Sequence, residues 1–279
     1  MANLTVTELL ESGVHFGHRV SRWNPKMKPF IFGKRNLIHI IDLKQTVRGF
    51  VRAAHFLNRL AGTGDPILFV ATKRQVKNMI ASEAVRCDMP FVNERWLGGT
   101  LTNFETIRSR LGRLQKLEQM EADGSLATYS KKMIASLMRE KRKIKRNLDG
   151  IREMKRLPGA LVVVDPRREH IAVSEANKLG IPTICIMDTD CDPDVADIVI
   201  PANDDALRSV AVLLNKLVDE IIVGRKQYRE TAAAEQKARA DEGSASGGSD
   251  RRLPVLLPAD DDLVDELVQE NRHRAQGVV

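Results

Sequence analysis

Cysteines, aromatic side chains and long apolar runs are all scarce in this chain of 279 residues. The three cysteines, Cys87, Cys185 and Cys191, form no CxxC pair, which argues against a disulfide framework and against a cysteine zinc site. No apolar run approaches the ~20 residues that span a bilayer. The first residues lack the basic and apolar regions of a secretory signal. We therefore expect a cytoplasmic protein with reduced, buried thiols and no membrane segment.

The apolar residues that are present are mostly aliphatic, since aromatics make up 4% of the chain and hydrophobic residues 43%. Short apolar runs alternate with amphipathic helical segments, which is typical of a mostly parallel sheet covered by helices on both faces. The predicted strands are residues 37–41, 67–71, 89–92, 160–164, 183–187 and 198–200. The predicted helices are residues 5–12, 43–60, 73–86, 168–179 and 204–229.

Residues 104–156 interrupt this α/β alternation. Apolar residues recur there at spacings of three and four on both sides of a turn near Gly124. The pattern predicts an antiparallel α-helical coiled-coil hairpin inserted between the two halves of the core. Lys141 falls on the apolar seam, so we expect imperfect packing at that point.

The predicted organisation has five parts. They are an N-terminal helix and basic loop at 1–35, the first half of the α/β core at 36–103, the hairpin at 104–156, the second half of the core at 157–230 and a flexible acidic tail at 231–279. The tail is predicted from a Gly/Ser-rich linker at 243–249 and an acidic amphipathic run at 260–268.

The net charge of +7 is unevenly distributed. Residues 1–60 carry +7 and residues 104–156 carry +8, whereas residues 157–231 carry −5 and residues 232–279 carry −4. A solvated helical hairpin would carry roughly balanced signs. The imbalance therefore favours a polyanionic partner for the front half and the hairpin, and an acidic face elsewhere.

Cations, glycines and rings occur together at residues 13–35, which we predict to be irregular, and on a smaller scale at residues 93–100. This mixture suits phosphate contacts and stacking on unpaired bases. The candidate RNA-binding residues are Arg19, Arg22, Trp23, Lys26, Lys28, Lys34, Arg35, Lys73, Arg74, Arg95, Trp96, Arg108, Arg110, Lys131, Lys132, Arg142, Lys143, Lys145 and Arg146.

Motifs of nucleotide binding and catalysis are missing from the sequence: there is no GxxxxGK[ST], GxSxG or HExxH segment. The Gly98-Gly99-Thr100 segment precedes a helical stretch, and its amides can hold a phosphate of a cofactor or of RNA. A tight turn into the hairpin is the plainer interpretation. An α/β nucleotide- or phosphate-binding enzyme and a scaffold that uses the hairpin as a docking arm are kept as alternatives.

Aspartates alternate at residues 188–194, and two more open a predicted helix. Carboxylates bind hard cations, but the same residues also suit turns and helix N-caps. No cofactor is therefore predicted, and a divalent-metal site of His18, Asp188, Asp204 and Asp205 stays an open alternative. His39, within an apolar strand, is predicted to be a core histidine with its hydrogen bonds satisfied.

Long and unusual motifs occur in order between about residues 4 and 229. They are LLESGVHFGH at 9–18, RWNPKMKP at 22–29, GKRN at 33–36, IHIID at 38–42, FVATKRQ at 69–75, RWLGGTLTN at 95–103, DPRREHIA at 165–172, DTDCDP at 188–193 and IPANDDA at 200–206. With these motifs the chain resembles the bacterial small-subunit ribosomal protein two family.

The resemblance implies a flavodoxin-like (Rossmann-like) α/β domain with a protruding helical hairpin and no catalytic activity or small-molecule substrate. It also implies a structural place in the small subunit near the head–body junction and contacts with the small-subunit ribosomal RNA. It further implies neighbouring ribosomal proteins as partners and a role in docking small-subunit protein one where that protein is present. The tail after about residue 231 lies outside the shared pattern, and its role is left open.

Overall fold

The computed structural model describes residues 4–243, which fold around two separate sheets. The strands are β1 Phe16–Arg19, β2 Ile31–Arg35, β3 Ile38–Ile41, β4 Ile67–Val70, β5 Phe91–Val92, β6 Ala160–Val164, β7 Thr183–Met187 and β8 Ile198–Pro201. The helices are α1 Val6–Glu11, α2 Leu43–Gly62, α3 Lys77–Arg86, α4 Phe104–Ala122, α5 Lys131–Leu148, α6 His170–Leu179 and α7 Leu207–Gly243. Within these residues no helix is long and apolar enough to cross a membrane.

The larger sheet is parallel throughout, in the order β5-β4-β6-β7-β8. Every residue of β4, β6 and β7 is buried, as expected for apolar strands with helices on both faces. Counted in chain order these five strands run 2-1-3-4-5, which is the flavodoxin-like order. The structure thus confirms the α/β fold class.

Two apolar clusters cover the two faces of this sheet. On one face α2 and α7 pack over β4 and β6, with Phe50, Leu57 and Leu217 fully or almost fully buried. On the other face α6 and the base of α4 and α5 pack together, with Leu114 and Ile151 fully buried. The hairpin is therefore attached to the core through its own apolar side chains.

The N-terminal segment differs from the prediction. Residues 13–35 were expected to be irregular, but two of their stretches form β1 and β2, which pair with β3 in a small antiparallel sheet. The strand predicted at 37–41 exists as β3, although it belongs to this sheet and not to the parallel one. The prediction of a loop was wrong because an antiparallel sheet tolerates one exposed, charged face, and the basic residues hid the strand pattern.

Both predicted helices of the insertion are present as α4 and α5, joined by a short 3-10 turn at Ser125–Thr128. Their winding as a coiled coil stays a prediction. Lys141, on the seam, is half-buried and pairs with Glu121. The seam thus contains a paired charge at the position where imperfect packing was expected.

The last helix, α7, is longer than predicted. Its end was expected near Arg229, but it continues to Gly243. Residues 231–240 contain five alanines, the residue with the highest intrinsic helix propensity, and this accounts for the extension. The rest of the predicted tail, at 244–279, lies outside the described residues.

A close contact between α2 and β8 generates a prediction about stability. A Cβ added to Gly49 would lie 2.1 Å from the carbonyl oxygen of Val199. We expect Gly49→Ala to lower the free energy of unfolding by about 1–3 kcal/mol or more, because the helix must move off the strand. Urea unfolding followed by circular dichroism measures the effect.

The control for this substitution is Gly112→Ala on α4, where an added Cβ meets no atom within 4 Å. We expect that variant to be unchanged or stabilised by up to ~1 kcal/mol, because alanine favours helix more than glycine does. Equal stability of Gly49→Ala and the unsubstituted protein would contradict the contact.

Candidate nucleic-acid interface

The small antiparallel sheet and the segment around it present a group of exposed cations. Arg19 and Arg35 lie on either side of Ile38 in the register of β1, β3 and β2, so the two arginines share one face. We call the exposed cations of this region the small-sheet surface: Arg19, Arg22, Lys28, Lys34 and Arg35. None of them forms an ion pair with a described residue, so their charge is free to act outward. Lys26 differs, because its ammonium lies 3.0 Å from Asp192 and 2.5 Å from Asp194.

The hairpin carries a second group of exposed cations. Its buried seam consists of apolar residues such as Ile107, Leu111 and Ile144, so the charged side chains point away from it. We call these cations the hairpin surface: Arg108, Arg110, Lys131, Lys132, Arg142, Lys143, Lys145 and Arg146. Only Arg146 among them has a carboxylate of a described residue within reach, that of Glu94 at 3.6 Å.

Several other candidates take different positions from those expected. Trp96 is 6% exposed, and its indole donates to Glu175, so it offers no ring face to a base. Lys73 is half-buried among carboxylates. Arg74 and Arg95 are exposed, as an RNA contact requires. Their burial therefore argues against Trp96 and Lys73 as RNA contacts, and the set as a whole stays a prediction.

The ring of Trp23 is partly exposed and packs against His39, with ring centroids 5.2 Å apart. His39 is buried, as predicted, but neither of its ring nitrogens has a hydrogen-bond partner among the described residues. The expectation of a satisfied histidine was therefore wrong. Its neighbour across the strand pair is Lys34. The ammonium of a lysine only donates, so it cannot accept a hydrogen bond from the imidazole.

The loop from Trp96 to Thr102, which leads into the hairpin, is held by one carboxylate from α6. Glu175 Oε1 accepts from the Trp96 indole at 3.1 Å and from the Gly99 amide at 2.8 Å. Its Oε2 accepts from the amides of Leu101 and Thr102 at 3.0 and 3.1 Å. Burial alone would raise the pKa of Glu175, but these donors outweigh it and hold the pKa below its usual value.

Within the Gly98-Gly99-Thr100 segment the Gly99 amide donates to Glu175 and the Thr100 amide to the carbonyl of Leu97, which disfavours a phosphate there. The preferred interpretation of this segment was a tight turn into the hairpin, with a phosphate of a cofactor or of RNA as the alternative. The sequence did not indicate that Glu175, more than seventy residues further on, supplies the acceptor. The one signal in the sequence for an internal role is that this glutamate is the only acidic residue of α6.

The carboxyl ends of β4, β6, β7 and β8 meet at one edge of the sheet, where flavodoxin-like folds bind ligands. Lys73 follows β4, and its ammonium lies 3.0 Å from Asp165, 2.8 Å from Asp204 and 2.9 Å from Asp205. Burial raises the pKa of Asp204 to about 7, although the charge of Lys73 opposes this rise. Lys73 thus neutralises carboxylates that this edge of the sheet brings together.

The hydrogen-bond donors of the loop after β4 are also satisfied by a side chain of the protein itself. The backbone amide and hydroxyl of Thr72 donate to Glu169 Oε1 at 3.1 and 2.5 Å. In nucleotide-binding members of this fold, the first loop between strand and helix receives a phosphate. Here a buried carboxylate has that position, which disfavours a nucleotide or phosphate substrate.

The metal-site alternative brings three of its four residues together. Ligand atoms of His18, Asp188 and Asp204 all lie within 4.8 Å of one another. His18 Nδ1 is 2.7 Å from Asp188 Oδ2, and this carboxylate raises the pKa of His18 to about 9. Asp205 lies 3.6 Å from His18 Nε2 and also pairs with Lys73. The same atoms therefore form a network of ion pairs, and the cation site stays a hypothesis.

The acidic second half does not form an acidic face of the strength that its sequence charge suggests. Six of the acidic residues between 157 and 231 are buried and face inward: Asp165, Glu169, Glu175, Asp188, Asp204 and Glu220. Nearly half of the negative charge of this half is therefore internal, whereas the positive charge of the small-sheet and hairpin surfaces is external.

Comparison with known proteins identifies the family. Residues 9–224 match the model of the family described as ribosomal protein S2. The chain belongs to this family. Its members are structural, non-enzymatic proteins, which agrees with the internally filled crevice of this S2-family chain.

Three relatives are each named small ribosomal subunit protein uS2. The one from Rhodopirellula baltica is 54% identical over 238 residues, which is 85% of this chain and 92% of the relative. The relative from Syntrophobacter fumaroxidans is 52% identical, over 84% of this chain and 86% of its own length. The relative from Geotalea uraniireducens is 50% identical, over 86% and 96%. The chain thus matches nearly the full length of these S2 proteins.

The contacts of Glu175 in this S2-family chain generate a second prediction. Glu175→Ala leaves one indole and three amides without their acceptor, so we expect a loss of about 3 kcal/mol or more in the free energy of unfolding. Because the pKa of Glu175 is lowered in the folded protein, the carboxylate stabilises the fold above the ordinary glutamate value of about 4.3. That contribution is lost as the pH falls through the lowered value.

Urea unfolding at pH 7 and at acid pH, followed by tryptophan fluorescence, tests both statements. The difference between Glu175→Ala and the unsubstituted protein should shrink as the pH falls below about 4. Glu153→Ala, at an exposed acidic position, is the control and should change stability by less than about 0.5 kcal/mol. A Glu175→Ala variant as stable as this control would show that the loop does not depend on the carboxylate.

The cation hypothesis generates a third prediction. If His18, Asp188 and Asp204 hold a divalent cation, the purified protein should retain the metal in equilibrium dialysis, and Asp188→Ala should not. Asp194→Ala, an exposed aspartate of the same segment, should retain it. Absence of bound metal from the unsubstituted protein would eliminate the site.

Proposed function

We propose that this chain is a structural constituent of the small ribosomal subunit that binds small-subunit ribosomal RNA through its small-sheet and hairpin surfaces. The observation that carries the proposal is the separation of charge in the structure. Most of the exposed cations of both surfaces have no acidic partner among the described residues. A helix pair stabilised by its own surface ion pairs would not leave so many of its cations unpaired.

Phosphate contacts account for such surfaces better than base recognition does. Lysine and arginine side chains on exposed helices and strands neutralise backbone phosphates and fix the position of a protein on RNA, and they carry little sequence information. The α4–α5 pair also has an open groove of about 720 Å³, and Arg110, Arg139 and Lys143 are among its lining residues. Arg139 thus joins the proposed contacts, although the candidate set from the sequence did not include it.

The finer placement is proposed from the family resemblance. We infer a position near the junction of head and body of the small subunit, in the cytoplasm, beside other small-subunit proteins. A role in docking small-subunit protein one, where it is present, follows from the same resemblance. The exposed carboxylates of Asp192 and Asp194, which Lys26 contacts, are among the acidic groups available to a protein neighbour.

The RNA proposal generates a fourth prediction. Replacing Arg142, Lys143, Lys145 and Arg146 on α5 by glutamine should weaken binding to small-subunit ribosomal RNA at least about tenfold at moderate salt. The logarithm of the binding constant should also depend less steeply on the logarithm of salt concentration, by up to ~0.9 for each lost phosphate contact in a duplex. Filter binding over a range of salt concentrations measures both quantities.

The matched control removes the same charge from elsewhere on the surface, by replacing Lys155, Lys178, Arg208 and Lys226 with glutamine. These side chains are also exposed but lie outside both basic surfaces. If both variants weaken binding equally, net charge and not the hairpin surface is responsible. Affinity that does not change with salt, or failure of the unsubstituted protein to sediment with small subunits, would refute the proposed function.

A further inference from the structure

The hairpin of β2 and β3 exposes two large apolar side chains, one near the start of β2 and one in the turn that follows it. Phe32 is 82% exposed and Leu37 is 77% exposed, and no other large apolar side chain of the described residues is as exposed as either. An isolated exposed apolar residue needs no explanation, but both of these lie on one small hairpin. Both belong to the region of the small-sheet surface, where the neighbouring charges are positive.

The backbone at the tip of this hairpin is in an unfavourable conformation. Arg35 pairs with Ile38, so Asn36 and Leu37 form a two-residue turn, with φ of +49° and +61°. Such turns require positive φ at both positions and favour asparagine followed by glycine. Leucine at the second position is strained and exposes its side chain to solvent. A strained, exposed apolar residue points to a contact made outside the chain.

The charges around the tip indicate which kind of partner makes that contact. Lys34 and Arg35 precede the turn on β2, and Arg19 lies across β3 from Arg35. All three are exposed, and none forms an ion pair with a described residue. A polyanion is attracted to this tip, whereas a protein segment would have to be both acidic and apolar.

Phe32 offers the ring that stacking requires. Phe16 packs against His15, with ring centroids 4.0 Å apart, and Trp23 packs against His39. Trp96 is buried. Phe32 has no ring neighbour among the described residues, so both of its faces are open. Phe32 precedes Lys34 and Arg35 by two and three residues on β2, at the point where the register of the strand shifts, so one nucleotide and its flanking phosphates can reach all three.

We propose that Phe32 is a stacking platform for an unpaired nucleotide of RNA, while Lys34 and Arg35 contact its flanking phosphates. Base stacking on an exposed aromatic ring, combined with cations that follow the backbone, is the general way in which proteins hold single-stranded RNA. The inference rests on the proposed function, since it names the form of RNA that this surface binds.

The experiment uses the full chain and two probes, a single-stranded oligoadenylate and a fully paired RNA duplex. Phe32→Ala and Phe32→Leu should each weaken binding to the single strand at least about fivefold, the lower end of the effect of losing one base–aromatic stack. Phe32→Trp should bind as the unsubstituted protein does. Duplex binding and the salt dependence should not change in any of the three, because no charge is removed.

Two controls separate stacking from charge and from folding. Lys34→Gln should weaken binding to both probes and lower the salt dependence for the single strand by about 0.7. Val85→Ala removes an exposed apolar side chain from α3, remote in sequence, and should have no effect on either probe. Because Phe32 is exposed, its variants should melt at the same temperature as the unsubstituted protein.

The outcomes distinguish this inference from the proposed function. If the unsubstituted protein binds neither probe, the proposed function fails. If it binds both with a salt dependence and Phe32→Ala binds equally well, the stacking inference is overturned and the proposed function stands. If Phe32→Leu retains full affinity while Phe32→Ala does not, the contact is apolar and not aromatic. Loss of a protein neighbour from reconstituted subunits, with unchanged RNA affinity, would assign the tip to a protein interface instead.

Discussion

The carboxylate of Glu175 is the interaction on which the arrangement of this molecule depends. It lies on α6 in the core and accepts hydrogen bonds from the loop between Trp96 and Thr102, from which the hairpin departs. A buried carboxylate with several donors is strongly held, and its removal would leave each donor unsatisfied. The basic hairpin is therefore oriented by a contact in the core, so its cations are presented from a fixed base.

The same principle applies at the edge of the sheet where this fold class binds ligands. Glu169 accepts a hydrogen bond from the backbone amide of the loop after β4. The ammonium of Lys73 forms ion pairs with the carboxylates that follow the neighbouring strands. In this fold, which elsewhere holds nucleotides, a side chain of the chain itself here occupies the anion position of the first loop. Internal hydrogen bonds and ion pairs thus occupy the edge at which an enzyme of this fold would bind its ligand, and the unpaired positive charge lies on the outer surfaces.

Much of the fold could be predicted from the sequence, because apolar runs of five residues such as Ala160–Val164 leave no alternative to a buried strand. The small sheet could not, since its strands alternate with cations and its register depends on a turn at Asn36 and Leu37. The exposure of the hairpin cations could be predicted from helical periodicity. The buried positions of Trp96 and Lys73 could not be predicted, because each depends on a partner far away in the sequence.

The fold separates the acidic residues of the second half from the basic residues of the small-sheet and hairpin surfaces. Six carboxylates of the second half are buried, where they act as acceptors or as partners for the few buried cations. The cations of the small-sheet and hairpin surfaces lie on elements outside the parallel sheet, and none of them pairs with those buried acids. Burying the acids in the core therefore leaves the outer cations unpaired, and a net charge of only +7 becomes two strongly basic surfaces. The basic character of these surfaces thus results from where the fold places its acids as much as from how many bases the chain contains.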